Sequence, residues 1–469
     1  MTHLLILALY LLMPHITKAQ DRALAGDPWA YFEGLTYDPS VPAPQDILGY
    51  AIGERFSLHA DVVRYCRAVA DASERVQFRS YGTTHEGRSL QILTVSSPDN
   101  LARLDEILAL NRALTDPETP AQRAREIIES NPAIVWLSYN VHGNEASSSE
   151  AAMRVLYTLA AGRAKPIDEI LQACVIVIDP MLNPDGRDRY VSWYRSVVGV
   201  RPNPAHDASE HHEPWPGGRT NHYLFDLNRD WVWLVHPESR SRLRVYREYL
   251  PQLHIDYHEQ GYRSPYFFGL GDDPYNANIP WETRQWVELY GRHNAEVFDR
   301  EGLVYATKER FDYLYPGYGK VLPVYHGAVG MLCEQAGHGF AGRSVRIHDH
   351  YDLTLLERAR HHFLTSMSYL ETTAAHREGQ LERFRNFYSG TIELARQSPM
   401  TFFIMGDNDP DLLAKVFDLA QAHGITIERL VEPVLVEGLH SYRSGEAQST
   451  ILPAGTWVVR TDQAMGRLV

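Results

Sequence analysis

Cysteine is scarce in this 469-residue chain: three residues, Cys66, Cys174 and Cys333, are too few for a disulfide framework. Cys174 opens the apolar run Val175 to Ile178 and reads as a small core hydrophobe. Apolar runs of membrane-spanning length are missing as well. The stretch Leu4 to Met13 is too short to cross a bilayer. It is followed by Thr17-Lys18-Ala19, with small residues three and one positions before a cut ahead of Gln20. Residues 1–19 therefore read as a signal peptide, which implies a secreted or periplasmic protein with no stable membrane insertion once the leader is gone. Positive charge is also in deficit, with 45 Lys and Arg against 59 Asp and Glu and a formal net charge of −14. Losing Lys18 with the leader makes the mature chain still more acidic. That argues against nucleic acid or anionic membrane as a partner.

What the chain does have, 44% hydrophobic and 22% charged residues, suffices for a large core and more than one domain. Residues 20–55 are rich in Pro, Gly, Tyr and Asp without a period and read as an irregular arm. Residues 56–395 form the main unit. Val62, Tyr65, Cys66 and Val69 fall on one helical face, and Leu90 to Val95 alternates as a strand. Residues 101–130 are charged and helical in composition, as in a surface insertion. The run Ile134 to Leu137, the helical spacing of Ala152, Val155, Leu156 and Leu159, and the run Val175 to Ile178 give strand, helix, strand. This predicts an α/β fold with a mixed, largely parallel twisted sheet and helices on both faces. Residues 351 to about 395 read as one long helical stretch. Residues 400–469 read as a small βαβ-like module, possessing no cluster of catalytic residue types.

In such a fold sites form beyond the carboxyl ends of strands. There stands His142-Gly143-Asn144-Glu145, an imidazole and a carboxylate three residues apart, a spacing that suits a metal. The tight turn Asn183-Pro184-Asp185-Gly186 follows the next strand, and after it a long loop carries Arg195, Arg201 and the histidines His206, His211, His212 and His222. Their spacing is too loose for a second metal site, and they read as a solvated loop. In Leu253 to His258, alternation puts His254, Asp256 and His258 on one strand face. His254 and His258 are too far apart along a strand to share one metal, so His258, at the carboxyl end, is the candidate. Glu334 follows the apolar strand Gly327 to Leu332, where an uncompensated acid is costly unless it is paired or working.

Together His142-x-x-Glu145, Asn183-Pro184-Asp185-Gly186, Asn228-Arg229 within Asp-x-Asn-Arg-x-Trp, His258 after a strand, and Glu334 before Gln-Ala-Gly resemble the zinc carboxypeptidase (carboxypeptidase A-like) family over roughly Gly82 to Gly337. That resemblance implies one catalytic Zn²⁺ per chain, with His142, Glu145 and His258 as ligands. It further implies Glu334 as general base, an arginine for the oxyanion, and Asn228 and Arg229 as the grip on a substrate carboxylate. Arg195 best fits the oxyanion role and Tyr315, before a Gly-rich turn, the substrate-capping tyrosine. Lys320 reads as a solvated loop residue, and Cys333, by strand alternation, faces away from the metal.

The expected function is a secreted metallocarboxypeptidase acting on peptides or proteins with a free carboxyl end. Two other functions fit the same residues. One is a zinc amidase or deacylase of cell-wall peptides or acylated amino acids, and the other a catalytically silent peptide-binding protein on the same fold.

Overall fold

The structure, a computed structural model, describes residues 27–442 and 444–469; the leader read at 1–19 lies outside them. Its centre is an eight-stranded sheet. In chain order the elements around it are helix α1 (His59–Ala72), strands β1 (Val76–Thr83), β2 (Ser89–Val95) and β3 (Ala133–Tyr139), helices α2 (Ser147–Ala161) and α3 (Lys165–Ala173), and strand β4 (Cys174–Asp179). After them come α4 (Pro184–Val197), α5 (Pro237–Tyr249), β5 (Leu253–Gln260), β6 (Tyr266–Phe267), α6 (Trp281–Glu301), β7 (Tyr305–Ala306), β8 (Val329–Ala336), α7 (Leu355–Ala375) and α8 (Arg377–Gln397).

The strand order is β1-β2-β4-β3-β5-β8-β6-β7. The four middle strands, β4, β3, β5 and β8, run parallel, while β1, β2 and β6 join antiparallel. Every residue of β3, β4 and β8 is buried, as expected for strands covered on both faces.

Alternation sorts these strands into two cores. Val135, Leu137, Ile176, Ile255, Tyr257, Met331 and Cys333 pack against α1, α2 and α7. Ile134, Trp136, Val175 and Val177 pack on the opposite face against Val245, Tyr246 and Tyr249 of α5. The residues between Ile255, Tyr257, Met331 and Cys333 therefore look to the α5 side, and these are Asp256, His258, Leu332 and Glu334. Cys333 is buried on the other face, 3.4 Å from the Tyr369 hydroxyl.

Two expectations differ from what is seen. The stretch read as a loop after Asn183 is helix α4, because Asn183 caps it by accepting from Gly186 N at 3.0 Å and Pro184 starts it without needing a backbone donor. The long carboxyl-side helix is two helices broken at His376. The carboxyl-side module keeps the βαβ order read from the sequence: Thr401–Ile404, helix Pro410–His423 and Glu428–Arg429, with both strands pairing antiparallel to Trp457–Arg460, which lies between them. Among the described residues no helix is long and apolar enough to cross a membrane.

Candidate metal centre

Beyond β3 the chain turns through Asn140, whose left-handed conformation (φ 62°) is one that asparagine tolerates. Its side-chain amide donates to the carbonyls of His142 at 2.7 Å and Glu145 at 3.0 Å, folding the turn back on itself. Gly143 fits only because it has no side chain: a Cβ there would lie 2.1 Å from Arg187 N and 2.5 Å from Gly218 O. The Asn183-Pro184-Asp185-Gly186 motif, which starts α4, is thus the wall against which the His142 turn is pressed. Asp185 in turn accepts from the Thr84 hydroxyl at 2.7 Å and Arg88 at 2.8 Å, tying in the turn between β1 and β2.

This turn brings His142 and Glu145 to the carboxyl end of β5. His142 Nδ1 lies 2.8 Å from Glu145 Oε1, His258 Nδ1 lies 3.1 Å from Glu145 Oε2, and the two Nδ1 atoms are 3.2 Å apart. All three side chains are buried. Hydrogen bonding alone serves this triangle poorly, since two imidazole nitrogens face one another. A tetrahedral zinc with bonds of about 2 Å separates its ligand atoms by about 3.3 Å, so the spacing and the donor set both fit one.

The far nitrogens are anchored as such a site requires. His142 Nε2 meets Asp226 Oδ1 at 3.0 Å and His258 Nε2 meets Asp256 Oδ2 at 2.7 Å. Each carboxylate fixes ring orientation and leaves Nδ1 as the donor to a metal.

Electrostatics follow from burial and charge. Burial alone would raise the Glu145 carboxyl, but His142, with hydrogen bonds from His142, His258 and His338, holds it well below its ordinary value. Burial works against a charged His258, yet Asp256 and Glu145 hold it well above the usual imidazole range. Glu334, in register with His258 on the neighbouring strand, is pushed up to about 8, chiefly by burial and also by Glu145, while His258 opposes.

The cavity over this triangle has a volume of about 420 Å³. His142, Glu145, His258, Glu334, Asn228 and Arg229 all line it. Arg229 is half exposed and stacks over the Tyr318 ring at 4.7 Å, with Asp226 Oδ2 3.7 Å from its guanidinium. Asn228 Oδ1 accepts from Gly319 N at 2.6 Å.

Two predicted residues are not brought here. Arg195, on α4, donates to the Phe56 carbonyl at 2.8 Å and to Asp61 at 3.3 Å, because the helix that replaces the expected loop turns it away. The guanidinium at the cluster is that of Arg219, which reaches Glu145 Oε1 at 3.2 Å and Asp226 Oδ2 at 2.9 Å. Tyr315 does not line the cavity either. Its hydroxyl donates to the Arg229 carbonyl at 3.0 Å and accepts from Trp233 at 2.7 Å, while Tyr318 takes the lining position.

Lys320 is buried rather than solvated; its ammonium donates to the Phe311 carbonyl, lies 4.0 Å from the Tyr313 ring, and is pushed down to about 7 by burial. His338, whose Nδ1 lies 3.1 Å from Glu145 Oε1, gave no sign in the sequence beyond its place four residues after Glu334. Arg219 gave only its place seven residues before Asp226, in a segment without period.

The zinc carboxypeptidase family model matches residues 62–266. A curated protein of Trichophyton verrucosum (strain HKI 0517), described as probable carboxypeptidase 2, is 24% identical over 313 residues, 61% of this chain and 54% of its own length. One of Arthroderma benhamiae (strain ATCC MYA-4681 / CBS 112371) with the same description is 26% identical over 125 residues, 27% of this chain and 18% of its own. The chain thus spans about half the length of the first of these relatives and less of the second. Among solved structures, a metallo-carboxypeptidase from Burkholderia cenocepacia is 13% identical with a TM-score of 0.45, covering 68% of each chain.

Proposed function

We propose, from the match of residues 62–266 to the zinc carboxypeptidase family model, that the chain is a secreted zinc-dependent carboxypeptidase that hydrolyses the last bond of peptides with a free carboxyl end. One observation carries this reading. The His142, Glu145 and His258 triangle, fitted to a tetrahedral ion, shares its cavity with the buried carboxyl of Glu334 and the half-exposed guanidinium of Arg229.

When bound, zinc supplies a Lewis acid that lowers the pKa of water towards neutrality and polarises a carbonyl. The protein's own groups do the rest. Glu334 takes the proton of the attacking water and hands it to the leaving amine nitrogen; burial strengthens it as a base once it is ionised. Arg219 donates to the oxygen on which negative charge develops. Arg229 and Asn228 hold the terminal carboxylate, for which a planar guanidinium fork is suited. Asp226 and Asp256 keep both imidazoles oriented throughout.

The test is metal content together with hydrolysis of blocked peptides whose carboxyl ends are either free or amidated. Zinc at the His142 site, with release of the last residue from free-ended peptides alone, is expected. Cleavage restricted to amidated or acylated compounds would assign the site to an amidase instead. Glu334→Gln should keep its zinc and lose about 10²–10⁴-fold in kcat; undiminished turnover would remove Glu334 from the mechanism.

A further inference from the structure

Outside this cavity a second group of ligating side chains converges from two separate parts of the chain. His85 sits in the turn between β1 and β2, His236 directly precedes α5, and Glu238 lies in the first turn of α5. One ligand atom from each lies within 4.8 Å of the others. His85 Nε2 is 3.1 Å from His236 Nδ1 and 3.9 Å from Glu238 Oε2. His236 and Glu238 are buried, while His85 reaches solvent and leaves a way in.

Hydrogen bonding does not account for these groups. The single lone pair of His236 Nδ1 is approached by two partners, His85 Nε2 and the Asn221 amide, each at 3.1 Å. Glu238 Oε2, by contrast, accepts no hydrogen bond among the described residues, and its other oxygen receives only the His85 N–H at 3.4 Å. An unsatisfied buried carboxylate oxygen costs more than an ordinary lost hydrogen bond. A borderline divalent cation answers both defects, because two imidazoles and a carboxylate are a zinc-type donor set. The Asn221 amide is the group such a cation would displace from His236.

We propose that His85, His236 and Glu238 form a second divalent-metal site of zinc type, which fastens the β1–β2 turn to the amino end of α5. Its setting is structural. Asn221 belongs to the loop that also carries Arg219 and Asp226, so the second site abuts the support of the first.

The test uses the full chain, equilibrated with Zn²⁺ and freed of excess, with metal counted per folded chain. Two zincs are expected in the wild type and one each in His142→Ala and His85→Ala. In the His142→Ala background, Co²⁺ should give a ligand-field absorption band that His85→Ala abolishes, and Zn²⁺ affinity should fall at least 100-fold. Because His85 lies on a part-exposed turn, its variant should keep the wild-type circular dichroism; Glu238→Gln is the second probe. Loss of one zinc on His85→Ala, whatever happens in His142→Ala, supports the second site even if the carboxypeptidase reading fails. Zinc content and Co²⁺ spectra unchanged by both His85→Ala and Glu238→Gln would overturn it.

Discussion

Arg219 and Arg195 differ in what their guanidinium groups touch, and the chemistry follows from that. Arg219 is shared between Glu145 and Asp226 at the cavity, whereas Arg195 is spent on the Phe56 carbonyl and Asp61. Arg219→Ala should therefore lower kcat/KM by about 10²–10³-fold, the scale of losing one oxyanion donor, and Arg195→Ala should leave it within about threefold. Steady-state kinetics on one free-ended peptide separates the two; the reverse ranking would restore Arg195 to the site. Asp179, at the end of β4, carries a different consequence. Burial pushes its carboxyl up to about 7, even though Arg242 and the Tyr81 hydroxyl, at 3.0 Å, work the other way. A folded-state pKa above the unfolded value means that the native state holds the proton more tightly. Its contribution is fully present below about pH 4 and is lost as pH rises through about 7. Over that window Asp179→Asn should flatten the fall of stability with pH by up to about 1.4 kcal/mol per pH unit, as measured by urea midpoints at several pH values.

At the scale of elements, position rather than residue type sets the site. β5 and β8 pair in parallel with His258 opposite Glu334, so two side chains distant in sequence stand side by side on the α5 face. The His142 turn is held against the start of α4 by the absence of a side chain at residue 143. Gly143→Ala would drive a methyl into the backbone of Arg187, Gly186 and Gly218. It should cost about 1–3 kcal/mol of stability and weaken zinc binding at least tenfold, read by chemical denaturation and by competition with a chromophoric chelator. Unchanged affinity would mean that this turn does not position the ligands. The strands that the apolar runs announced are present, because a strand buried on both faces needs only a short continuous run. Helix α4 was hidden for the opposite reason. It buries polar residues such as Asp185 and Arg187 beside Tyr190, Val191 and Tyr194, so its apolar period is weak, and its start depends on the Asn183 cap and Pro184, a pattern that also fits a turn.

For the whole molecule, the candidate metal centre joins parts of the chain 113 residues apart, Glu145 and His258. An ion that binds only the folded chain stabilises it by mass action, about 2.7 kcal/mol at one hundred times its Kd. Chelation should thus lower Tm measurably, with recovery on adding Zn²⁺. A Tm that stays put while zinc is removed would mean that the ligands are held without it. Since both histidines gain a donor role at the expense of a proton, zinc uptake should weaken as pH falls.

The sequence by itself determined the α/β layering, through runs and periods that depend only on local burial, and it marked four candidates: His142 and Glu145 by their spacing after an apolar run, His258 by its place at the end of an alternating strand, and Glu334 as an acid after an apolar run. It also marked Asn228 and Arg229 by motif. Only the tertiary structure decided which arginine and which tyrosine reach the cavity, since Arg195, Arg219, Tyr315 and Tyr318 lie in segments whose path is set by caps and long-range contacts. The same holds for Asp226 behind His142 and for the convergence of His85, His236 and Glu238. Proximity between residues far apart in the chain is a property of packing, and no local pattern encodes it.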